Sequence, residues 1–68
     1  MVENLELNSS VLQRASFNNE TSELVVQFKN GRDYTYIVPI DLWNAFKEAP
    51  SKGNFFVKNI KGKFKPES

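Results

Sequence analysis

Asn30-Gly31 stands between two runs of alternating residues, and that arrangement constrains this chain more than any other stretch of it. Leu24, Val26 and Phe28 alternate with Val25, Gln27 and Lys29 before the dipeptide, and Tyr34, Tyr36 and Val38 alternate with Thr35 and Ile37 after it. Period two on both sides of Asn-Gly predicts a β-hairpin. A two-residue loop, Asn30-Gly31, would set Phe28 opposite Asp33 and Lys29 opposite Arg32, a like-charge pair. A three-residue loop, Lys29-Asn30-Gly31, closes as a type I turn with Gly31 in the left-handed region, and it pairs Val26 with Tyr34 and Leu24 with Tyr36. The second register is preferred. It collects Leu24, Val26, Phe28, Tyr34, Tyr36 and Val38 on one face.

Upstream, Val11–Phe17 reads as a strand whose adjacent apolar residues, Val11 and Leu12, break strict alternation and predict a bulge or two-sided burial. Asn18-Asn19-Glu20-Thr21-Ser22 supplies side chains that mimic backbone turns and makes the first hairpin loop. Residues 1–8 are read as a loosely held N-terminal segment, with Leu5 and Leu7 able to pair as an edge strand. Asn8-Ser9-Ser10 reads as a polar turn. Pro39 ends the sheet because it has no amide hydrogen for a ladder. Leu42, Trp43, Phe46 and Ala49 then share one face of a helix that begins at Ile40, has Asp41 in its first turn and stops at Pro50. Ser51 caps a second helix with Phe55, Phe56 and Ile60 as its apolar stripe, weakened by Gly53. Gly62 is expected to end it in a left-handed cap. Phe64 serves as a last anchor before a polar tail, residues 65–68. The expected fold is an α+β domain, a three-stranded antiparallel meander packed against two C-terminal helices, with residues 9–64 as one domain. The expected core is Leu24, Val26, Phe28, Tyr34, Tyr36, Val38, Leu42, Trp43, Phe46, Phe56 and Ile60.

At 68 residues the chain has room for one modest core, and six Phe, two Tyr and one Trp must fill it. There is no Cys and no His, which removes disulfides, thiolate metal sites, the commonest metal ligand and the commonest general base. No stretch approaches membrane-spanning length, and the N-terminus has no basic run followed by an apolar one, so a cytoplasmic protein without membrane contact is expected. The net charge of +1 conceals a division. Residues 1–50 carry Arg14, Lys29, Arg32 and Lys47 against seven acids, whereas residues 51–68 carry Lys52, Lys58, Lys61, Lys63 and Lys65 against Glu67 alone.

Three runs taken in order carry a resemblance. They are Ser9-Ser10, Leu24-x-Val26-x-Phe28-x-Asn30-Gly31-x-x-Tyr34-x-Tyr36-x-Val38-Pro39, and Ala49-x-Ser51-x-Gly53-x-Phe55-Phe56 followed by Ile60. The chain resembles the KTSC domain over about residues 8–64. That family of roughly sixty-residue domains is named for its place at the C-terminus of some lysyl-tRNA synthetases, and it also occurs as small stand-alone proteins. The resemblance implies RNA binding through the synthetase connection. Phe17 stands where the family usually has tyrosine, and Trp43 and Phe46 fill helix positions usually apolar there.

Catalysis finds little support. Asp33, Asp41 and Glu48 have no spacing that brings them together, and Ser51-Lys52-Gly53 lacks the glycine spacing of a phosphate loop. Tyr34 and Tyr36 offer a base-stacking platform in one reading and a core pair in the other, and the hairpin register favours the core. Lys52, Lys58, Lys61, Lys63 and Lys65 offer phosphate contacts, and Arg14 and Arg32 are candidates to extend that patch. The expected function is a non-catalytic module without cofactor or metal that binds RNA through this basic end. The alternative is a protein-interaction adaptor using the outward sheet face or a strand edge.

Overall fold

A computed structural model of the chain describes residues 2–7 and 9–66. Its order is β1 (Val2–Glu6), β2 (Leu12–Asn18), β3 (Glu23–Phe28), β4 (Asp33–Ile37), α1 (Ile40–Glu48), α2 (Lys52–Phe55) and a π-helical segment, Phe56–Lys61. The class is α+β as expected, but the antiparallel sheet has four strands in the order β1-β2-β3-β4, not three. The added strand is β1, paired with β2 from Val2↔Asn18 to Glu6↔Arg14. Leu5 and Leu7 do pair at the edge, and Leu7 is buried. Met1 and Asn8, the latter part of the expected polar turn, lie outside the described residues, as do Glu67 and Ser68 of the expected tail.

The β3–β4 register is the one chosen from the side chains, with Val26↔Tyr34 and Leu24↔Tyr36. Gly31 has φ +92°, and its N–H donates to the Phe28 carbonyl while the Phe28 N–H donates to the Arg32 carbonyl. The Asn30 side-chain oxygen accepts from the Arg32 N–H at 3.0 Å, so the turn is held from both sides. On β2 the expected bulge lies between Leu12 and Arg14, two strand residues facing Gln27 where one would do in a regular ladder. It lets Leu12 turn inward, 1% exposed, while Val11 stays outside at 55%.

Pairing sorts the strand residues onto two faces. Glu3, Phe17, Leu24 and Tyr36 form one inward row, and Leu5, Ala15, Val26 and Tyr34 the next. The outward rows carry Asn4, Ser16, Val25 and Thr35, with Glu6, Arg14, Gln27 and Asp33 beyond them. The helices pack on the inward face. Trp43 and Phe46 of α1 are fully buried, and Trp43 stacks on Phe17 with centroids 5.4 Å apart. Phe17 therefore works as a flat apolar surface under the indole. Of the expected core, Phe28, Tyr34 and Leu42 are only partly buried, and Leu7, Leu12, Ala15 and Phe17 belong to the core as well.

Ala49 precedes Pro50 and is extended at ψ 135°, which stops α1. Ser51 caps α2, its hydroxyl accepting from the Asn54 N–H at 3.4 Å. The chain then widens into the π-helical segment, in which Phe56 and Ile60 are buried. Gly62 does end it, but with φ −79°, not in the left-handed cap expected from sequence. Its N–H donates to the Val57 carbonyl, and a Cβ at this position would stand 3.2 Å from that same oxygen. Glycine is favoured there by close backbone approach, not by positive φ, since a side chain would make the neighbouring carbonyl give by a few tenths of an ångström.

Candidate nucleic-acid interface

Beyond Tyr34, the inward face of the sheet runs out from under the helices. The hydrogen bond from Phe28 to Arg32 continues the ladder by one pair, so Arg32 extends the row of Tyr34 and Tyr36 into solvent. The C-terminal segment returns toward the same place. The Phe64 N–H donates to the Ile60 carbonyl at 2.8 Å, turning the chain after the π-helical segment, and Phe64 packs on the edge of the core. Between hairpin and returning segment lies a groove of about 600 Å³ whose walls include Val11, Phe28, Asn30, Arg32, Tyr34, Lys61, Phe64 and Lys65. A smaller recess shares Val11, Phe28 and Lys61 with it, and a third at the hairpin tip adds Lys29. Among the described residues, no carboxylate lines any of the three.

The five lysines do not line one common recess. Lys61 and Lys65 are exposed on the groove, and Arg32 meets them from the hairpin. None of the three has an ion-pair partner among the described residues. Lys58 and Lys63 are exposed but line none of these recesses. Lys52 is partly buried and donates to the Ala49 carbonyl at 2.9 Å, a cation on the last carbonyls of α1, and it lines a separate recess with Glu6 and Ser9. Arg14 lies on the outward face, 3.8 Å from Glu6. Arg32 is thus the member that charge counting in the C-terminal quarter passes over. Its signal was present in the alternation, since position 32 falls two before Tyr34 in the inward row.

The two tyrosines divide. Tyr36 is 2% exposed and meets Phe56 edge-on, centroids 5.6 Å apart. Burial, and then the neighbouring Tyr34, push its phenol above the ordinary value, so at neutral pH it is a hydroxyl and not an anion. Tyr34 is partly buried, lines the groove and meets Phe28 at 90° with centroids 5.4 Å apart. Phe28 in turn meets Phe56 edge-on. A chain of four perpendicular rings therefore runs from the core, through Tyr36, Phe56 and Phe28, to Tyr34 at the surface.

At the opposite end of the same face, Lys47 of α1 pairs with Glu3 of β1 at 2.9 Å and sits 5.7 Å over the Trp43 ring. The hydrogen bond from Lys47 holds the Glu3 carboxyl below its ordinary value, opposed by partial desolvation and assisted by Trp43. The Trp43 Nε1–H is buried and completes no hydrogen bond of normal geometry. No cluster of acids able to hold a metal ion occurs among the described residues, and no described helix is long and apolar enough to cross a membrane.

Known proteins bear directly on this arrangement. The KTSC domain model matches residues 8–64. A lysine–tRNA ligase of Nostoc punctiforme is 41% identical over 64 residues, 93% of this chain, and one of Trichormus variabilis is 38% identical over the same length. This chain spans about 11% of the length of those ligases. The crystal structure of a KTSC domain protein from Yersinia pestis superposes with a TM-score of 0.89 at 30% identity, covering 100% of this chain and 97% of that one. A family match over nearly the whole chain, with the same fold in a solved member, leaves one assignment: the chain belongs to the KTSC domain family.

Proposed function

We propose that this domain is a non-catalytic module that binds RNA through the groove between the β3–β4 hairpin and the C-terminal segment. The observation that carries the reading is the convergence of Arg32, Lys61 and Lys65 on a recess lined by aromatic rings, with neither an ion-pair partner nor a lining carboxylate among the described residues. Unneutralised cations around aromatic walls attract phosphate and offer a surface to bases. The occurrence of similar sequence within lysine–tRNA ligases supports transfer RNA as a ligand to try first. The non-catalytic part of the reading rests on the sequence, which has no His and no Cys and no spacing that brings Asp33, Asp41 and Glu48 together.

The test is an amide NMR titration of the domain with transfer RNA and with a short single strand, at two salt concentrations. Shifts should concentrate at Arg32, Tyr34, Lys61 and Lys65. Three phosphate contacts predict a slope of about −2 for log affinity against log salt on a single strand, and each cation removed should reduce it by about 0.7. Absence of shifts with either RNA at low salt would overturn the proposal and turn attention to a protein partner on the exposed sheet.

A further inference from the structure

The walls of the groove, more than its charges, distinguish one form of nucleic acid from another. Phe28, Tyr34 and Phe64 are each only partly buried, and Val11 beside them is 55% exposed, so the floor between the cations is largely apolar. A duplex hides its base faces in the stack and presents phosphates, sugars and base edges, none of which gains from such a floor. The cations are also confined to one end of the molecule. The groove lies between the hairpin and the returning C-terminal segment, a recess that a flexible strand can turn into and a stiff rod spans. Finally, Tyr34 is braced edge-on by Phe28, which is itself held edge-on by the buried Phe56, so Tyr34 is presented with little freedom left to lose on binding.

Resting on the nucleic-acid reading above, we propose that the groove takes an unpaired nucleotide of a single strand. Its base lies against Tyr34 and Phe64, and the phosphates on either side lie on Arg32, Lys61 and Lys65. Base faces supply the selectivity for single strands, and the cations supply attraction that is indifferent to sequence.

The deciding experiment is fluorescence anisotropy at one ionic strength with four probes: a short labelled single-stranded RNA, the same RNA annealed to its complement, the matching single-stranded DNA, and inorganic polyphosphate as competitor. The single strands should bind roughly tenfold or more tighter than the duplex, with either sugar supporting the proposal and the ratio between them identifying the source. Tyr34→Leu and Phe64→Ala should each lower single-strand affinity roughly 5- to 150-fold while competition by polyphosphate stays unchanged. Amide spectra of both variants establish that they are folded, and the wild-type ratio of single strand to duplex decides the matter even if one is not. Equal or tighter binding of the duplex, or wild-type affinity in both folded variants, overturns the single-strand proposal while leaving RNA binding intact. No binding of any probe at low salt overturns both.

Discussion

The two ends of the inward sheet face are built from the same materials and put to opposite uses. At the β1 end, rings lie nearly parallel, Phe17 on Trp43 at 15° and Trp43 on Phe46 at 29°, and the one lysine nearby is neutralised by Glu3. At the hairpin end, rings meet perpendicularly and the cations Arg32, Lys61 and Lys65 have no ion-pair partner among the described residues. The difference lies in burial and charge pairing: Phe17, Trp43 and Phe46 are fully buried, whereas Phe28 and Tyr34 are only partly buried. On the proposed reading, the difference separates stability from binding in a domain of 68 residues, where a single core must serve both.

Mutation can sharpen that separation or erase it. The largest effect belongs to Trp43→Ala, expected to cost about 3–5 kcal/mol in urea unfolding, a large share of what holds a small domain together. A loss below about 1 kcal/mol would mean that the closed end is not the centre of stability. Gly31→Val comes next. At φ +92° a β-branched residue is strained, and a loss of about 1–2 kcal/mol is expected, with chemical-shift changes spreading from residue 31 into Arg32 and Tyr34 but not to Trp43. The double variant Arg32→Ala, Lys61→Ala should leave unfolding within about 0.5 kcal/mol of wild type, as exposed sites do, and yet flatten the salt dependence of RNA binding. Comparable damage to stability and binding would join the two ends again.

The smallest effect is expected from Glu3→Gln, and it is read as a change with pH. Because the folded-state carboxyl of Glu3 titrates below its ordinary value, its contribution is fully present above the unfolded pKa and is lost as pH falls through the lowered folded one. Wild type and variant should therefore differ most near neutrality and converge in acid. A difference that persists unchanged below the carboxylate range would assign the effect to packing and not to charge.

How much of this was legible beforehand follows from which positions obey a period. The β3–β4 register could be chosen because the two-residue loop would set Phe28 opposite Asp33 and Lys29 opposite the like-charged Arg32, and the turn residues agreed with the choice. Strand β1 was harder to recognise because Glu3, an acid, stands in its inward row, and only α1 supplies the lysine that makes it tolerable there. An inward charge on an edge strand also discourages further strand pairing. Leu12 fell outside the expected core because the bulge shifts the period between Leu12 and Arg14, and Phe17 because its partner, Trp43, is twenty-six residues away and invisible to any local pattern. The basic end was legible as a count of charges, but a count carries no direction. Lys52 turns back to a helix carbonyl and Lys61 turns to the groove, and that divergence depends on the path of the chain between them.

That path includes the π-helical segment, whose consequence is one of phase. A π-helical turn accommodates one residue more than an α-helical turn, and each residue of an α-helix advances the side-chain direction by about 100°. Phe56 and Ile60 stay buried through the wider turn, while everything after Ile60 is rotated with respect to an uninterrupted α-helix. Deleting Asn59 would bring Phe56 and Ile60 to a spacing of three, which still shares a helical face, but would swing Lys61 and Phe64 away from the hairpin. The extra residue thus acts as a phase shifter between the core and the C-terminal segment: it sets the angle at which Lys61 and Phe64 leave the helix without altering which residues hold the helix in place.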